Sequence, residues 1–434
     1  MPDPFRHYEG VPVLDLPADP PVPGGSTTYA DGAAFLSQLF YYSAAISATK
    51  LVPSTGLRYA LRVNPSSGNL HPTEFHFLTR GLKDWPDGLY HYRPSSHMAE
   101  QRAVGDFTIG DTDGSIVFVL TSIAWREEWK YRDRAYRYCL LDIGHAWQSL
   151  VLAAQAMGCE SLAIRDFPDD EIARSCRLAE DEWPMLIIDI RSNAEIRRNM
   201  DRARDLTETI WYGGQPNELS KEKLDYPRID AIHAATKVGH QAAPEPAHAG
   251  ACDRTFVEFA RTRRSALDFI GGTQSISLPH LLTILSAAKP LLQFIQLYLY
   301  VHRVDDLEPG VYRLRPANGE LEKVKSGDQR VAAAGLSLGQ DLAGNACVAF
   351  SMIGDLERAA RAYGDRGYRY VHFEAGAVGH RLYLAAEALG LGATGIGAFY
   401  DEEVHRYLHL SPEQGQVVYH FAIGYPVADP RLNA

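Results

Sequence analysis

The chain has 434 residues, 46% of them hydrophobic and 22% charged, which suits two or three globular domains, each long enough to bury a core of its own. Lys and Arg total 43 against 54 Asp and Glu, and the net charge of −11 argues against nucleic acid or an anionic membrane as the main partner. The five cysteines (Cys139, Cys159, Cys176, Cys252 and Cys347) show no C-x-x-C spacing, the amino terminus lacks a basic segment followed by an apolar one, and no stretch is long enough without charge to span a bilayer. Neither a zinc site, a disulfide framework nor a membrane anchor is expected, and a cytoplasmic location is.

Residues 1–30 read as an extended amino-terminal arm, because the proline-rich stretch 11–25 can be neither a regular helix nor a central strand; it lies on a surface or trails as a tail. Phe35, Leu36, Leu39 and Phe40 recur at helical spacing and predict an amphipathic helix over 31–45. Phe75-His76-Phe77-Leu78 and Ile116-Val117-Phe118-Val119-Leu120 are strand candidates between turn signals. The stretch 140–157 is apolar nearly all round, with Trp147, Leu150, Val151 and Leu152, and belongs in a core as a helix. A buried strand from Pro184 to Ile190 closes the first unit, placed at 31–200. Residues 201–252 are a connecting segment, helical in part around 201–211 and ending in the linker-like run HQAAPEPAHAGA. The second unit, 253–434, opens with a helix over 256–270 and ends on Phe421 to Pro426. Helices mixed with short strands around an apolar central helix indicate an α+β sandwich on a mixed sheet.

The two units are copies. Asp133-Arg134-Ala135-Tyr136-Arg137-Tyr138 returns as Asp365-Arg366-Gly367-Tyr368-Arg369-Tyr370, an offset of 232 residues (133 to 365) that also carries Leu152-Ala153-Ala154 onto Leu384-Ala385-Ala386 and Gly158 onto Gly390. Gly88-Leu89-Tyr90 and Gly310-Val311-Tyr312 match at an offset of 222 (88 to 310), so the copies differ by a modest insertion or deletion. A period this long signals a duplicated domain, which does within one chain what a homodimer does between two.

Three short constellations carry chemistry. Pro65-Ser66-Ser67-Gly68-Asn69 clusters small hydrogen-bonding residues around a glycine, able to approach a planar polar ligand, although ordinary turns have the same composition. Arg261-Thr262-Arg263-Arg264-Ser265 offers paired guanidinium groups and a hydroxyl to an anion such as phosphate, although a solvated helix face would look alike. Gly392 to Phe399, GATGIGAF, is a glycine-rich turn that does not have the dinucleotide-binding G-x-G-x-x-G form but can lay backbone N–H groups against a flat ring.

Taken in order with WKYRDRAYRYCLLDIGHAWQSLVLAAQAMG in the first half and DRGYRY and GHRLYLAAEALGLGATGIGAF in the second, these segments resemble the nitroreductase superfamily of FMN enzymes, and within it the SagB/ThcOx-type dehydrogenases. The resemblance covers nearly the whole chain and implies tandem nitroreductase-like α/β sandwich units that form an intrachain pseudo-dimer, with FMN at the interface of the two. It implies that Arg263, Arg264 and Ser265 hold the FMN phosphate. Gly395, Ile396, Gly397 and Ala398 would line the ring, with Pro65, Ser66, Ser67 and Asn69 reaching it from the first unit. The pseudo-equivalent positions are Ala287-Ala288-Lys289-Pro290-Leu291 and Ala163-Ile164-Arg165-Asp166-Phe167, which do not keep either motif, so one FMN per chain is expected. Relatives place a basic residue two positions after the serine; Leu267 stands there, and the resemblance implies that the phosphate relies more on Arg431, which matches a basic position some relatives have.

Lys130-Tyr131 matches a Lys-Tyr pair shared by the azoline dehydrogenases of this branch, whereas the second copy reads Ala362-Tyr363. Oxidation of an azoline to an azole takes a proton from carbon and a hydride to the flavin; a lysine lowered toward neutral pKa, or a tyrosine it activates, could serve as base, while a plain surface lysine beside a packed aromatic is the bland alternative. The implied function is FMN-dependent oxidation of a peptide- or amino-acid-derived natural-product intermediate, with a small-molecule or peptide substrate and other biosynthetic proteins as partners. An NAD(P)H-dependent nitro or quinone reductase, and a pseudoenzyme that binds a peptide or partner protein, remain the alternatives.

Overall fold

The computed structural model describes residues 1–23, 29–52, 55–109, 112, 114–191, 209–237, 245–246 and 255–432. Apart from Glu245–Pro246, a two-residue strand, the expected linker run at 240–251 lies outside the described residues, as does the expected helix at 201–211 up to residue 208; its described end, Ile210–Trp211, is strand and not helix. The chain divides into two compact units, one of residues 1–47 and 61–261, the other of 48–60 and 262–434. Residues 48–60 therefore group with the second unit although they precede most of the first in sequence.

In the first unit the sheet strands are β1 (Val13–Asp15), β2 (Thr73–Thr79), β3 (Gly88–Arg93), β4 (Met98–Val104), β5 (Ile116–Ser122), β6 (Glu160–Ile164) and β7 (Trp183–Arg191), and the principal helices are α1 (Gly32–Tyr41), α2 (Trp125–Tyr131) and α3 (Ala135–Ala156). The central order is β4-β3-β2-β5-β7-β6. The second unit has β8 (Ile295–Val301), β9 (Gly310–Arg315), β10 (Glu320–Ser326), β11 (Val348–Gly354), β12 (Gly392–Ile396) and β13 (Gln416–Gly424), in the order β10-β9-β8-β11-β13-β12, with helices α4 (Leu278–Ala288), α5 (Leu356–Tyr363) and α6 (Gly367–Ala388). The two orders are the same walk through the fold. At an offset of 232, β5 falls on β11, α3 on α6 and β6 on β12, end for end; at 222, β2, β3 and β4 fall on β8, β9 and β10.

The pairings within these six-strand cores are all antiparallel, where a mixed sheet was expected; among the described residues the parallel elements are isolated bridges, Ser265 to Ala393 and Ile276 to Val304. Within the described part of the arm, Val13–Asp15 pairs with β4. Helix α1 starts where its cap dictates, Asp31 accepting the Ala34 N–H at 2.8 Å. The helix expected over 256–270 is shorter: it spans Thr255–Phe259, and beyond it the Ala266 N–H donates to the Ala393 carbonyl, drawing the chain out alongside β12.

One face of the first sheet carries the apolar core, with Phe40 stacked on Tyr92 at 3.9 Å. The strand alternation sends Glu74, His76, His91 and Glu100 to the other face, where they are fully buried. His91 bridges Glu100 (2.9 Å) and Glu74 (3.2 Å), Arg126 of α2 donates to Glu74, and His76 meets Glu182 at 2.6 Å. The amino-terminal residues close this layer: the Arg6 and Tyr8 N–H groups donate to Glu74 and Glu100, and the Arg6 guanidinium reaches Asp181 at 2.9 Å. Burial alone would raise the Glu74 pKa, but Arg126, the His91 hydrogen bond and Arg62 outweigh it and hold the carboxyl down to about 2. Glu182 is likewise held well below the carboxylate range, burial being overcome by His76 and Arg6. A carboxylate depressed on folding stabilises above its unfolded pKa, here near 4.5, and that stability is lost as pH falls through the folded value. Thermal melts should therefore show a steep fall in stability between about pH 4.5 and about pH 2; a flat profile across that window would mean that the buried layer is not ionic.

Candidate active site

Within the first unit the structure brings together two motifs that lie 62 residues apart in sequence (Gly68 against Lys130). Ser67–Asn69 forms a 3-10 turn with Gly68 at φ +57°. Here the glycine is required, since a Cβ on Gly68 would stand 2.5 Å from the Tyr131 Oη and 3.0 Å from the Lys130 Nζ. The Lys-Tyr pair at the end of α2 therefore lies directly on this turn. Lys130 is exposed and Tyr131 half-buried, its ring 4.3 Å from that of Tyr138. Burial, and after it the charge of Glu127, push the Tyr131 phenol above its ordinary pKa, so the hydroxyl is held in its neutral form.

Ser66 and Ser67 are tied from below by Asp142 of α3. The Ser66 hydroxyl donates to Asp142 at 2.7 Å, and Ser67 donates both its hydroxyl (2.9 Å) and its N–H (3.0 Å). The Ser66 oxygen accepts in turn from the His71 N–H at 2.8 Å. Burial raises the Asp142 carboxyl to about 7, more than the hydrogen bonds from Ser66 and Ser67 lower it. Both hydroxyls shape the turn; Pro65 and Asn69 flank it, half-buried. Gly68→Ala should cost about 1–2 kcal/mol for the left-handed backbone and displace Tyr131, read as a lowered denaturation midpoint. An unchanged midpoint would show that the turn relaxes freely.

Within the second unit the Arg263–Ser265 segment and the glycine-rich segment meet at Tyr383 of α6. The Tyr383 hydroxyl accepts the Gly395 N–H at 2.7 Å and lies 2.9 Å from the Ser265 hydroxyl. A Cβ on Gly395 would come within 1.8 Å of the Tyr419 hydroxyl, so only glycine fits. Gly392 to Ile396, expected as a turn, is the edge strand β12, because its backbone pairs along β13; Gly397 and Ala398 follow the strand, and the Ala398 carbonyl accepts from Gln340. Arg263 is 4% exposed, its guanidinium 4.9 Å from the Tyr383 ring centre, and its Nε and Nη1 have no hydrogen-bond partner. Burial, the dominant influence, lowers its pKa. A buried cation with open donors is costly unless something anionic meets it. This is the donor set that a phosphate needs, and the residues present fit the phosphate of FMN.

The other cations of the expected phosphate set are placed differently. Arg264 donates to the Arg263 carbonyl. Arg431 makes a two-pronged pair with Asp429 (2.7 and 2.8 Å), and Lys50 reaches the same carboxylate at 2.8 Å. Arg261 groups with the first unit, its guanidinium stacked on the Tyr41 ring at 3.5 Å. Sequence reasoning did not single out Asp142, Tyr383 or Glu127. The signal for Asp142 was an acid inside the apolar run LLDIGHAW, and its counterpart, Glu374 of α6, accepts the Phe294 and Ile295 N–H groups in the second unit. Among the described residues no cluster of side chains suits a metal ion, and no helix is long and apolar enough to cross a membrane.

A sequence model of the nitroreductase family matches residues 44–190 and 261–425, one match in each half and together well over half of the chain. The microcin B17-processing protein McbC of Escherichia coli is 29% identical over 142 residues, 29% of this chain and 52% of that protein. The trifolitoxin operon protein TfxC of Rhizobium leguminosarum bv. trifolii is 28% identical over 130 residues, 30% of this chain and 36% of that protein. A provisionally named nitroreductase of Methanocaldococcus jannaschii is 35% identical over 116 residues, 27% of this chain and 59% of its own length. The matches thus span about a third to three fifths of these relatives. A solved structure of a provisionally named nitroreductase from Anabaena variabilis superposes with a TM-score of 0.78 at 23% identity, covering 98% of this chain and 94% of its own, so the fold is shared end to end.

Proposed function

Because the chain belongs to the nitroreductase family, we propose that it is an FMN-dependent oxidoreductase of the SagB type, acting on a peptide- or amino-acid-derived intermediate in the manner of an azoline-to-azole oxidation. The observation that carries the reading is Arg263, a buried guanidinium with open donors beside Ser265 and Gly395. Bound FMN would supply a two-electron acceptor at the flavin ring. Arg263 and Ser265, with Arg264 and Arg431, hold the phosphate in this reading; Gly395, Ile396, Gly397 and Ala398 present backbone to the ring, and Pro65, Ser66, Ser67 and Asn69 complete the binding set. Lys130 and Tyr131 handle the proton released from substrate carbon, since the turn at Gly68 holds their polar ends together. The likeness to McbC and TfxC supports a peptide substrate and partner proteins of a biosynthetic route.

The test is direct. The purified protein should show a flavin absorbance spectrum, and flavin released on denaturation should approach one equivalent per chain, because the second unit carries Ala287 to Leu291 in place of the serine turn. Two equivalents would overturn the one-sided assignment, and none under saturating FMN would overturn the cofactor. Rapid consumption of NAD(P)H with a nitroaromatic, without turnover of an azoline peptide, would assign the reductase reading instead.

A further inference from the structure

The two copies do not run level. Their offset is 222 as far as β10 and 232 from β11 onward, so the second copy carries ten extra residues (232 less 222) between those strands, in a stretch that forms two short helices, Arg330–Leu336 and Asp341–Asn345. The inserted stretch is tied to the backbone just beyond β12. The Gln340 amide, between the two helices, donates to the Ser337 carbonyl (2.7 Å) and to the Ala398 carbonyl (3.1 Å), and the Tyr400 N–H donates to the Leu336 carbonyl at 3.0 Å. The turn that delivers Gln340 passes through left-handed backbone at Leu338 (φ +58°), which a leucine adopts only where its surroundings impose it. Ser337, buried, meets one ring nitrogen of His420 in β13 at 3.0 Å; the other lies 2.9 Å from the Ser351 hydroxyl, which donates to the Tyr300 hydroxyl at 3.1 Å. The Phe399 ring stacks on the His420 imidazole at 4.6 Å.

At the matching places the first copy is built otherwise. Pro168 stands where Tyr400 does and has no N–H to donate. Strand register sets Ile187 opposite Val119 and Ile164 just as it sets His420 opposite Ser351 and Ile396, and Leu78 takes the place of Tyr300 at the offset of 222. Leu78, Val119 and Ile187 pack with Phe167, the counterpart of Phe399, in one apolar core. The fold is therefore complete with aliphatic residues at these positions, and the buried polar set of the second copy, costly to desolvate, answers to something that copy alone does. What the second copy alone has is the glycine-rich segment. Strand β12 ends at Ile396 and the next helix begins at Asp401, so Gly397 to Tyr400 lie beyond the sheet ladder, where a glycine loses the most freedom on being fixed. We propose that the inserted stretch, through Gln340 and the Ser337–His420 contact, is a brace that fixes the backbone of Ile396 to Phe399 in the shape that receives the flavin ring. Gln340 and His420 are then positioning residues, acting through that backbone. The proposal rests on the reading that Gly395 to Ala398 line the ring, and adds to it the side chains that hold them there.

The test separates ring from phosphate, on the full-length protein stripped of flavin, with riboflavin as the ligand that has the ring and lacks the phosphate. Gln340→Leu, which keeps the bulk and loses the donor, should weaken riboflavin and FMN binding by the same factor, about two- to tenfold, the loss expected for one hydrogen bond. Arg263→Ala, by contrast, should weaken FMN alone. A second variant guards against misfolding: Ser351→Val with His420→Ile installs the aliphatic pair that the first copy packs at this place, so it should melt near the parent temperature without flavin and still bind both flavins more weakly by a common factor. The visible circular dichroism of bound flavin, which reports how the ring is held, should change in both variants. Affinities for both flavins unchanged from the parent, a loss confined to FMN, or an unchanged dichroism overturns the brace alone. A parent that binds neither flavin overturns the oxidoreductase reading, and the brace with it.

Discussion

Lys130→Ala and Tyr131→Phe should each slow the anaerobic reduction of bound flavin by a synthetic thiazoline-bearing peptide by about 10²–10⁴-fold, the usual contribution of a positioned acid or base. Flavin content and fold should be unchanged. Lys130 is exposed, so its truncation removes no packing, and Tyr131→Phe keeps the ring that rests on Tyr138 at 4.3 Å. Both polar ends meet at Gly68, in the first unit, whereas the open guanidinium of Arg263 and the glycine segment belong to the second. If the proposed roles hold, cofactor retention and proton handling rest on different residues and should separate in the variants. Normal reduction rates in both variants would assign the pair to structure, and loss of flavin from either would move it to the cofactor shell. Burial and the charge of Glu127 hold the Tyr131 phenol neutral, so it is not a free phenolate.

The parts of this design that were legible in the sequence are those written in local patterns. An ungapped offset of 232 places β11, α6 and β12 once β5, α3 and β6 are placed, since a repeat preserves the spacing between elements as well as the residues. Strand alternation at Phe75 and Phe77 located the core face, and the apolar run of α3 its central helix. What was not legible depends on contacts far apart in the chain. Helix 256–270 failed because residues past Phe259 find backbone partners at Ala393, and GATGI read as a turn because its glycines mask a strand whose partner is 30 residues away (Ala393 to Ile423). The charged layer of Glu74, His76, His91 and Glu182 looks like ordinary polar alternation until Arg6 and Arg126 arrive from distant segments to neutralise it. Tyr383 lay within an apolar helix, where a tyrosine is normally only packing; its hydroxyl matters because Ser265 and Gly395 converge on it.

Arg263→Ala should weaken FMN binding by about 1.5–3 kcal/mol, the worth of a charge-assisted hydrogen bond, or roughly ten- to a hundred-fold in Kd. The measurement is a titration of flavin-stripped protein followed by FMN fluorescence. Arg431→Ala should do less, because Arg431 already spends both prongs on Asp429, while the Nε and Nη1 of Arg263 have no partner within the protein. Stability separates ligation from packing. A structural arginine takes stability with it when removed, whereas a buried guanidinium with open Nε and Nη1 donors holds the flavin-free protein back, so Arg263→Ala without FMN should melt at the parent temperature or above. Saturating FMN raises the parent's melting temperature by mass action, and that rise should shrink in the variant in step with its weaker binding. A variant that melts well below the parent without flavin, yet gains as much from added FMN, would show that the guanidinium supports Tyr383 and does not meet the phosphate.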